Sequence, residues 1–367
     1  MGGCEAGLAA ARCCVAVATV RSEPPVRAVR FHAYGPPTEL RVDDVPDPRP
    51  GPTDVLVRVR AAAINHWDID MRNGSSRLAL NLPHTPGIEV AGDVAAIGDR
   101  VTTAQVGMRV MPRYLWPCRR CEWCTAGQEN HCAQVRVLGA TEPGGYADFV
   151  VVPASTLLPL PDAVPYEAAA ALQGTFAPVW HALKGRLDLQ PGTSILINAA
   201  GSGAGSAGIQ LARYLGARVV ASAGSDDKLA RARADGAEAT INYRTEDLGA
   251  RIRELTDGRG VDAVLDCVGG PVFEASLRGL AWNGRLVTIG GHGGERVTLD
   301  LVPLFRNQWS IIGSVNCTTA DIDQVFELLK AGKVRPTIHR TYRLDEAARA
   351  HEDLEARRHY GKLLLVT

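Results

Sequence analysis

The chain has 367 residues, enough for two domains, and its 46% hydrophobic content is ample for packed cores. Forty basic side chains balance forty acidic ones, so the electrostatic footprint of a nucleic-acid or anionic-membrane binder is missing. No apolar run approaches the roughly 18 to 20 residues of a membrane helix; the expectation is a globular protein of the cytoplasm with neither nucleic-acid nor membrane partners.

Residues 1–25 include "GLAAARCCVAVATV", which is short and broken by Arg12. Strand-like patterning begins only at "VRAVRFHAYG", so this segment reads as a flexible N-terminal extension. Its Ala, Val and Arg content with few acids leaves a targeting role as the alternative. Residues 26–170 then form short segments punctuated by Pro and Gly. In "DVLVRVRAAAIN", Val55, Val57 and Val59 share one face and Arg58 and Arg60 the other, the period-two pattern of a half-buried strand. This half is expected to be mostly β.

Next comes "CRRCEWCTAGQENHC", which holds four cysteines at spacings of two, two and seven residues. Disulfide frameworks belong mainly to small secreted domains that lack a core, so a metal is the stronger reading. Cys118, Cys121, Cys124 and Cys132 can converge on one tetrahedral Zn²⁺, and four thiolates leave no open position for substrate. Such a zinc is structural, one per chain, and its binding energy, on the order of 10 kcal/mol in small zinc peptides, is folding energy.

Across residues 171–314 the pattern changes. "SILIN", "RVVAS", "ATIN", "DAVLD", "RLVTI" and "WSIIG" are short apolar runs separated by helix-length segments such as "GSAGIQLARYLG" and "DDKLARARADG". Six strands alternating with helices mean a doubly wound parallel sheet of the α/β class. After "SILIN" the loop "AAGSGAGSAG" satisfies a dinucleotide pattern literally at Gly203-x-Gly205-x-x-Gly208, with Gly201 offering an earlier start. Strand before and helix after are the context in which backbone N–H groups meet a pyrophosphate. Gly201, Ser202, Gly203, Ala204 and Gly205 are therefore cofactor candidates. Residues 315–367 hold two helical stretches and a final strand, "GKLLLVT", expected to return to the first domain.

From Val26 to Thr367 the chain resembles the medium-chain dehydrogenase/reductase superfamily, which includes zinc alcohol dehydrogenases and quinone oxidoreductases. "AAAINHWDIDMRNG", "PGIEVAGDVAAIG", "VGMRVMP", the cysteine lobe, "GGYADFVVVP", the glycine loop and the closing segment through "GKLLLV" stand in the family's order. The resemblance implies a chaperonin-10-like β-rich catalytic domain with a nicotinamide-binding Rossmann domain, assembled as a homodimer or homotetramer. It also implies a catalytic zinc held at the positions aligned with Asn65, Ile88 and Gly174. None of those side chains is a competent ligand, and only Glu89 remains beside them. His66, Asp68, His84, Glu89 and His181 are the residues from which a rearranged site would have to be built.

Without a Lewis acid, hydride transfer to simple aldehydes loses its main electrostatic aid, whereas an enone or quinone spreads the incoming charge. The resemblance to zinc-free quinone oxidoreductases and enoyl reductases of the superfamily implies an NADPH-dependent oxidoreductase that transfers hydride to a quinone or α,β-unsaturated carbonyl compound, a small apolar substrate, without a catalytic zinc. Asn65 would donate a hydrogen bond at the carbonyl end, and His66 would shuttle a proton or touch the cofactor ribose. The alternatives are a zinc-dependent alcohol dehydrogenase with unorthodox ligands and a non-catalytic cofactor-binding protein. Trp67, Tyr114 and Trp116, with Phe176 and Trp180, suggest an apolar or aromatic pocket.

For the cofactor, an acidic residue about 20 positions after the glycine loop marks NAD. Ala223 stands there, so nothing repels a 2′-phosphate. Ser222, Ser225 and Lys228 lie in the same turn, and Tyr243 and Arg244 approach from the next strand end, with Asp226 and Asp227 as contrary evidence. Gly290 and Lys362 complete the expected cofactor contacts.

Overall fold

The computed structural model describes residues 25–367, so the expected N-terminal extension lies, apart from Pro25, outside the described residues. Two large sheets organise what is described. The first runs in the order Ile338–Arg343, Lys362–Val366, Asp54–Ala63, Glu89–Ile97, Arg109–Pro112, Leu157–Pro159, with Phe149–Pro153 also paired to Asp54–Ala63. Along Asp54–Ala63 the three valines are buried while Arg58 and Arg60 are exposed, as the alternation requires. The chain's last strand lies antiparallel to this one, with Leu364 opposite Ala63. That pairing carries Lys362 to the end of the sheet where Asn65 begins a helix.

The second sheet is wholly parallel, in the order Ala239–Asn242, Arg218–Ala223, Ser194–Ile197, Val261–Asp266, Leu280–Thr288, Ser310–Gly313. Its first strand in sequence sits at the centre and is buried at all four residues, which is why Ile195, Leu196 and Ile197 form an unbroken apolar run and the Ser194 hydroxyl donates to Asp262 Oδ2 at 2.7 Å. The order reverses beside that strand, and ligands of doubly wound sheets bind at such a switch point. At the far edge, Trp282, Leu301, Phe305 and Ile311 remain exposed around Ser310–Gly313. The expected combination of a β-rich unit with a doubly wound parallel sheet is what the structure contains. No helix among the described residues is long and apolar enough to cross a membrane.

The helix His66–Asn73 fixes the junction between the sheets. It starts at Asn65, whose backbone N–H donates to Asp68 Oδ2 at 2.8 Å, and ends on left-handed Gly74. Asp68 is fully buried; it also accepts from the Tyr146 hydroxyl at 3.0 Å and from the Gly87 N–H at 3.3 Å. Burial pushes the Asp68 carboxyl up to about 7, against the pull of these donors. Its folded pKa thus lies above the unfolded value, so the folded state holds a proton that the unfolded state has lost. The stabilisation is complete below about pH 4 and disappears as pH rises toward 7. His66 and His351, both lowered to about 3 chiefly by burial, act with the opposite sign. The informative quantity is therefore a difference between variants. We expect Asp68→Asn to remove a downward slope of up to about 1.4 kcal/mol per pH unit between pH 4 and 7 in denaturant unfolding; parallel profiles for the two proteins would contradict this.

Candidate active site

A cavity of about 700 Å³ opens between the two sheets, lined by both. Its floor is the turn after Ser194–Ile197, where Gly201, Ser202, Gly203 and Ala204 face the space. Ser202 caps the following helix, Gly203–Tyr214, by accepting the Gly205 N–H at 2.9 Å, and the helix N-terminus points positive charge at the cavity. Gly205 and Gly208 are buried within the helix instead. The stretch that meets a ligand thus begins at Gly201, ahead of the literal glycine frame.

At one end of the cavity lie Ala223, Gly224, Ser225, Lys228, Tyr243 and Arg244. Ser222 does not join them: it is fully buried and donates to Asn198 Oδ1 at 2.7 Å, which removes it from the expected cofactor contacts. Asp226 accepts from Asn242 Nδ2 at 2.8 Å, and neither it nor Asp227 lines the cavity. Two residues that the sequence reading missed come from the C-terminal segment, Arg357 and His359. Lys228 Nζ donates to the Arg357 carbonyl at 2.8 Å, and burial, then Arg357 and Arg244, lowers the Lys228 pKa. His359 is 5% exposed and its Nδ1 has no partner. Cations crowded together without a carboxylate among them form an anion receptor.

At the other end stand Asn65, His66, Trp67, Ile88, Tyr114, Gly174, Gly290, His292 and Lys362. Of the expected aromatic residues only Trp67 and Tyr114 reach the cavity; Trp116, Phe176 and Trp180 are core. Asn65 Nδ2 donates to Glu89 Oε2 at 2.8 Å, and its Oδ1 accepts from Lys362 Nζ at 2.7 Å. The amide is therefore turned toward Glu89 and Lys362, and its second N–H has only the Ala63 carbonyl, 3.5 Å away. Lys362 Nζ also lies 2.9 Å from Glu89 Oε2, while the Gly174 N–H donates to Glu89 Oε1. Glu89 is completely buried and Lys362 nearly so.

The remaining candidates for a rearranged metal site are dispersed. His84 bonds the Gly139 carbonyl, His181 bonds Asp321 and Asp68 serves the helix start. His66 stacks on His292 with ring centroids 4.8 Å apart, and burial, then His292, lowers it to about 3, so its imidazole is neutral near pH 7. It is not a cationic proton donor.

The four cysteines come together away from the cavity, with all sulfurs within 4.8 Å of one another and Cys118 3.9 Å from Cys124. Sulfurs around a tetrahedral zinc are separated by roughly 3.8 Å, so the donor set and its spacing fit that ion. Backbone N–H groups of Arg120 and Cys121 lower the Cys118 thiol to about 6, while burial and the neighbouring cysteines raise Cys124 to about 12, the split expected when crowded thiols share protons with no cation between them. Among the described residues this is the one cluster of three or more Cys, His, Asp or Glu side chains close enough to share a metal.

Residues 51–162 match the alcohol dehydrogenase GroES-like domain, and residues 203–331 match the zinc-binding dehydrogenase family. The chain is 33% identical to a quinone oxidoreductase of Pseudomonas aeruginosa, over 93% of this chain and 99% of the relative. It is 29% identical to an acryloyl-coenzyme A reductase of Metallosphaera sedula, over 92% and 98% of the two chains. The crystal structure of an NAD-dependent alcohol dehydrogenase superposes with a TM-score of 0.89 at 39% identity, covering 93% of this chain and 99% of the other. With two sheets of this topology meeting at a cavity floored by a glycine loop, the chain belongs to the medium-chain dehydrogenase/reductase superfamily and is an oxidoreductase of that type.

Proposed function

We propose that the protein is an NADPH-dependent reductase of quinones or α,β-unsaturated carbonyl compounds that needs no catalytic metal. The observation that carries this reading is the amide, carboxylate and ammonium cluster of Asn65, Glu89 and Lys362. It fills the place at which the resemblance puts the ligands of a catalytic zinc, and it offers a metal one carboxylate that is already fully hydrogen-bonded. Bound NADPH supplies the hydride. The backbone of residues 201–204 and the helix behind it hold the pyrophosphate. Ser225, Lys228, Tyr243 and Arg244, joined by Arg357, grip the 2′-phosphate, and Ala223 leaves room for it. Trp67, Ile88, Tyr114 and Ile289 offer an apolar wall to the acceptor and exclude water. His66, being neutral, serves as a hydrogen-bond partner of the cofactor rather than as an acid. Cys118, Cys121, Cys124 and Cys132 hold one structural zinc. The apolar residues exposed along the Ser310–Gly313 edge support a homodimer paired through that edge.

Two sets of outcomes follow from this assignment. Purified protein should carry about one zinc per chain and, after removal of loosely held metal, still oxidise NADPH with an enone or a quinone while oxidising ethanol only slightly. A second tightly bound metal that restores alcohol oxidation would overturn the reading. Cys121→Ser should lower thermal stability rather than selectively abolish turnover.

For the cofactor, steady-state kinetics should favour NADPH. Arg244→Ala is expected to raise its KM about 10-fold through loss of a charge-assisted hydrogen bond, and Ala223→Asp to shift preference toward NADH. Equal or better use of NADH by the unmodified protein would contradict the assignment.

A further inference from the structure

Val315 and Asn316, in the segment that joins Ser310–Gly313 to the helix Thr319–Lys330, line the cavity beside Tyr114. This segment is pinned along its length. The Ser314 N–H donates to the Thr288 carbonyl at 3.0 Å, and the Val315 carbonyl accepts Asn130 Nδ2, from the cysteine lobe, at 3.1 Å. Cys317 is completely buried, and Thr318 caps the helix through its hydrogen bonds with Asp321. Asn316 has φ 52°, in the left-handed region that asparagine tolerates better than most residues. A backbone held in this way gives the side chain a defined direction.

Tyr114 decides how the Asn316 amide is turned. The tyrosine is 2% exposed and its hydroxyl donates to Asn316 Oδ1, while the Cys317 thiol lies 3.6 Å from the same oxygen. Burial raises the Tyr114 pKa well above its usual value, so the proton stays on the hydroxyl. With Oδ1 accepting, Nδ2 takes the other position, and its N–H bonds meet no acceptor among the described residues. Nearby polar groups are committed elsewhere: the Asn65 amide faces Glu89 and Lys362, and the Thr175 hydroxyl donates to the Ala171 carbonyl at 3.1 Å. An unengaged neutral donor thus stands at the end of the cavity walled by Trp67, Ile88 and Ile289, the arrangement by which an apolar pocket orients a ligand.

We propose that Asn316 recognises the acceptor: its Nδ2 donates to the carbonyl or quinone oxygen, with Tyr114 as the positioning residue that turns the amide. This inference rests on the reading of the protein as a reductase of conjugated acceptors. In an enone the β-carbon receives the hydride, and the C=C electron pair moves into the bond between α-carbon and carbonyl carbon. The carbonyl π pair moves onto oxygen, which keeps the Asn316 hydrogen bond as charge arrives. The α-carbon then takes a proton from water, giving the saturated carbonyl compound and NADP⁺. The same donor makes the pocket choose between ligands of equal size, because a ketone pairs the amide and a hydrocarbon leaves it unpaired and dry.

The variants to make are Tyr114→Phe/Asn316→Leu, which keeps the volume and strands no hydroxyl, and Asn316→Asp. The latter keeps the shape, the left-handed backbone and the Tyr114 hydrogen bond but has no N–H to donate. In the NADP⁺ complex, α-tetralone should bind at least about 10-fold more tightly than tetralin, and both variants should lose that preference. Tyr114→Phe alone should weaken α-tetralone about 3-fold and leave tetralin unchanged. The double variant should bind NADPH within about 3-fold of the unmodified protein, while its single-turnover hydride transfer to 2-cyclohexen-1-one falls about 10-fold or more. A ketone preference that is equal in variants and unmodified protein, or absent from both, refutes the proposal. A raised NADPH Kd with the ketone preference intact would make Asn316 a cofactor contact and overturn it too. The binding comparison involves no hydride transfer, so it separates this inference from the functional reading: a protein that prefers the ketone through Asn316 yet leaves enones unreduced would overturn only the latter.

Discussion

The buried contact between Lys362 and Glu89 is the interaction on which the cleft depends. It joins the last strand of the chain to the strand Glu89–Ile97, and through Asn65 and Gly174 it draws in the start of the helix His66–Asn73 and the helix Gln173–Trp180. Four segments remote in sequence are fixed at one point. Breaking a buried pair by deleting one partner typically costs about 3–5 kcal/mol, because the other charge is stranded away from water. The same desolvation strengthens the contacts within the cluster, which is why these four segments hold one geometry at the cleft.

From that point the cavity extends as a gradient of character. Near Lys362 the walls are apolar, with Trp67, Ile88, Tyr114 and Ile289, and one ammonium stands among them. Past the glycine loop the walls become cationic, with Lys228, Arg244 and Arg357 beside a His359 that burial keeps neutral. An apolar carbonyl compound and a polyanionic dinucleotide make these two demands. The cysteine cluster stands outside the cavity.

The local parts of this arrangement were legible in the sequence. The valine alternation, the buried "SILI" strand, the glycine loop and the four-cysteine spacing are short-range patterns whose physics acts over a few residues. Ala223 and its neighbours were legible for the same reason, although Ser222 was not distinguished from Ser225. In a strand, adjacent side chains take opposite faces, and Ser222 takes the one that bonds Asn198. Contacts made by the closing strand were not legible. Lys362 could be placed near a cofactor, but nothing local shows that it reaches Asn65 and Glu89, and Arg357 and His359 carry no motif. Asn65 looked like a free donor because the partner that engages its amide lies in another strand. The aromatic residues divide by orientation alone: Trp116 and Phe176 fill core and Tyr114 lines the cleft, where its hydroxyl donates to Asn316.

The central claim is that hydride passes to a carbon conjugated with the acceptor's oxygen, without a catalytic metal. The most direct measurement is the destination of the label when the protein, carrying a single zinc, turns over NADPH deuterated at the transferable C4 position with an α,β-unsaturated ketone. The account predicts deuterium on the carbon β to the carbonyl in a saturated ketone product, as read by NMR. Deuterium on the carbonyl carbon of an allylic alcohol would contradict it.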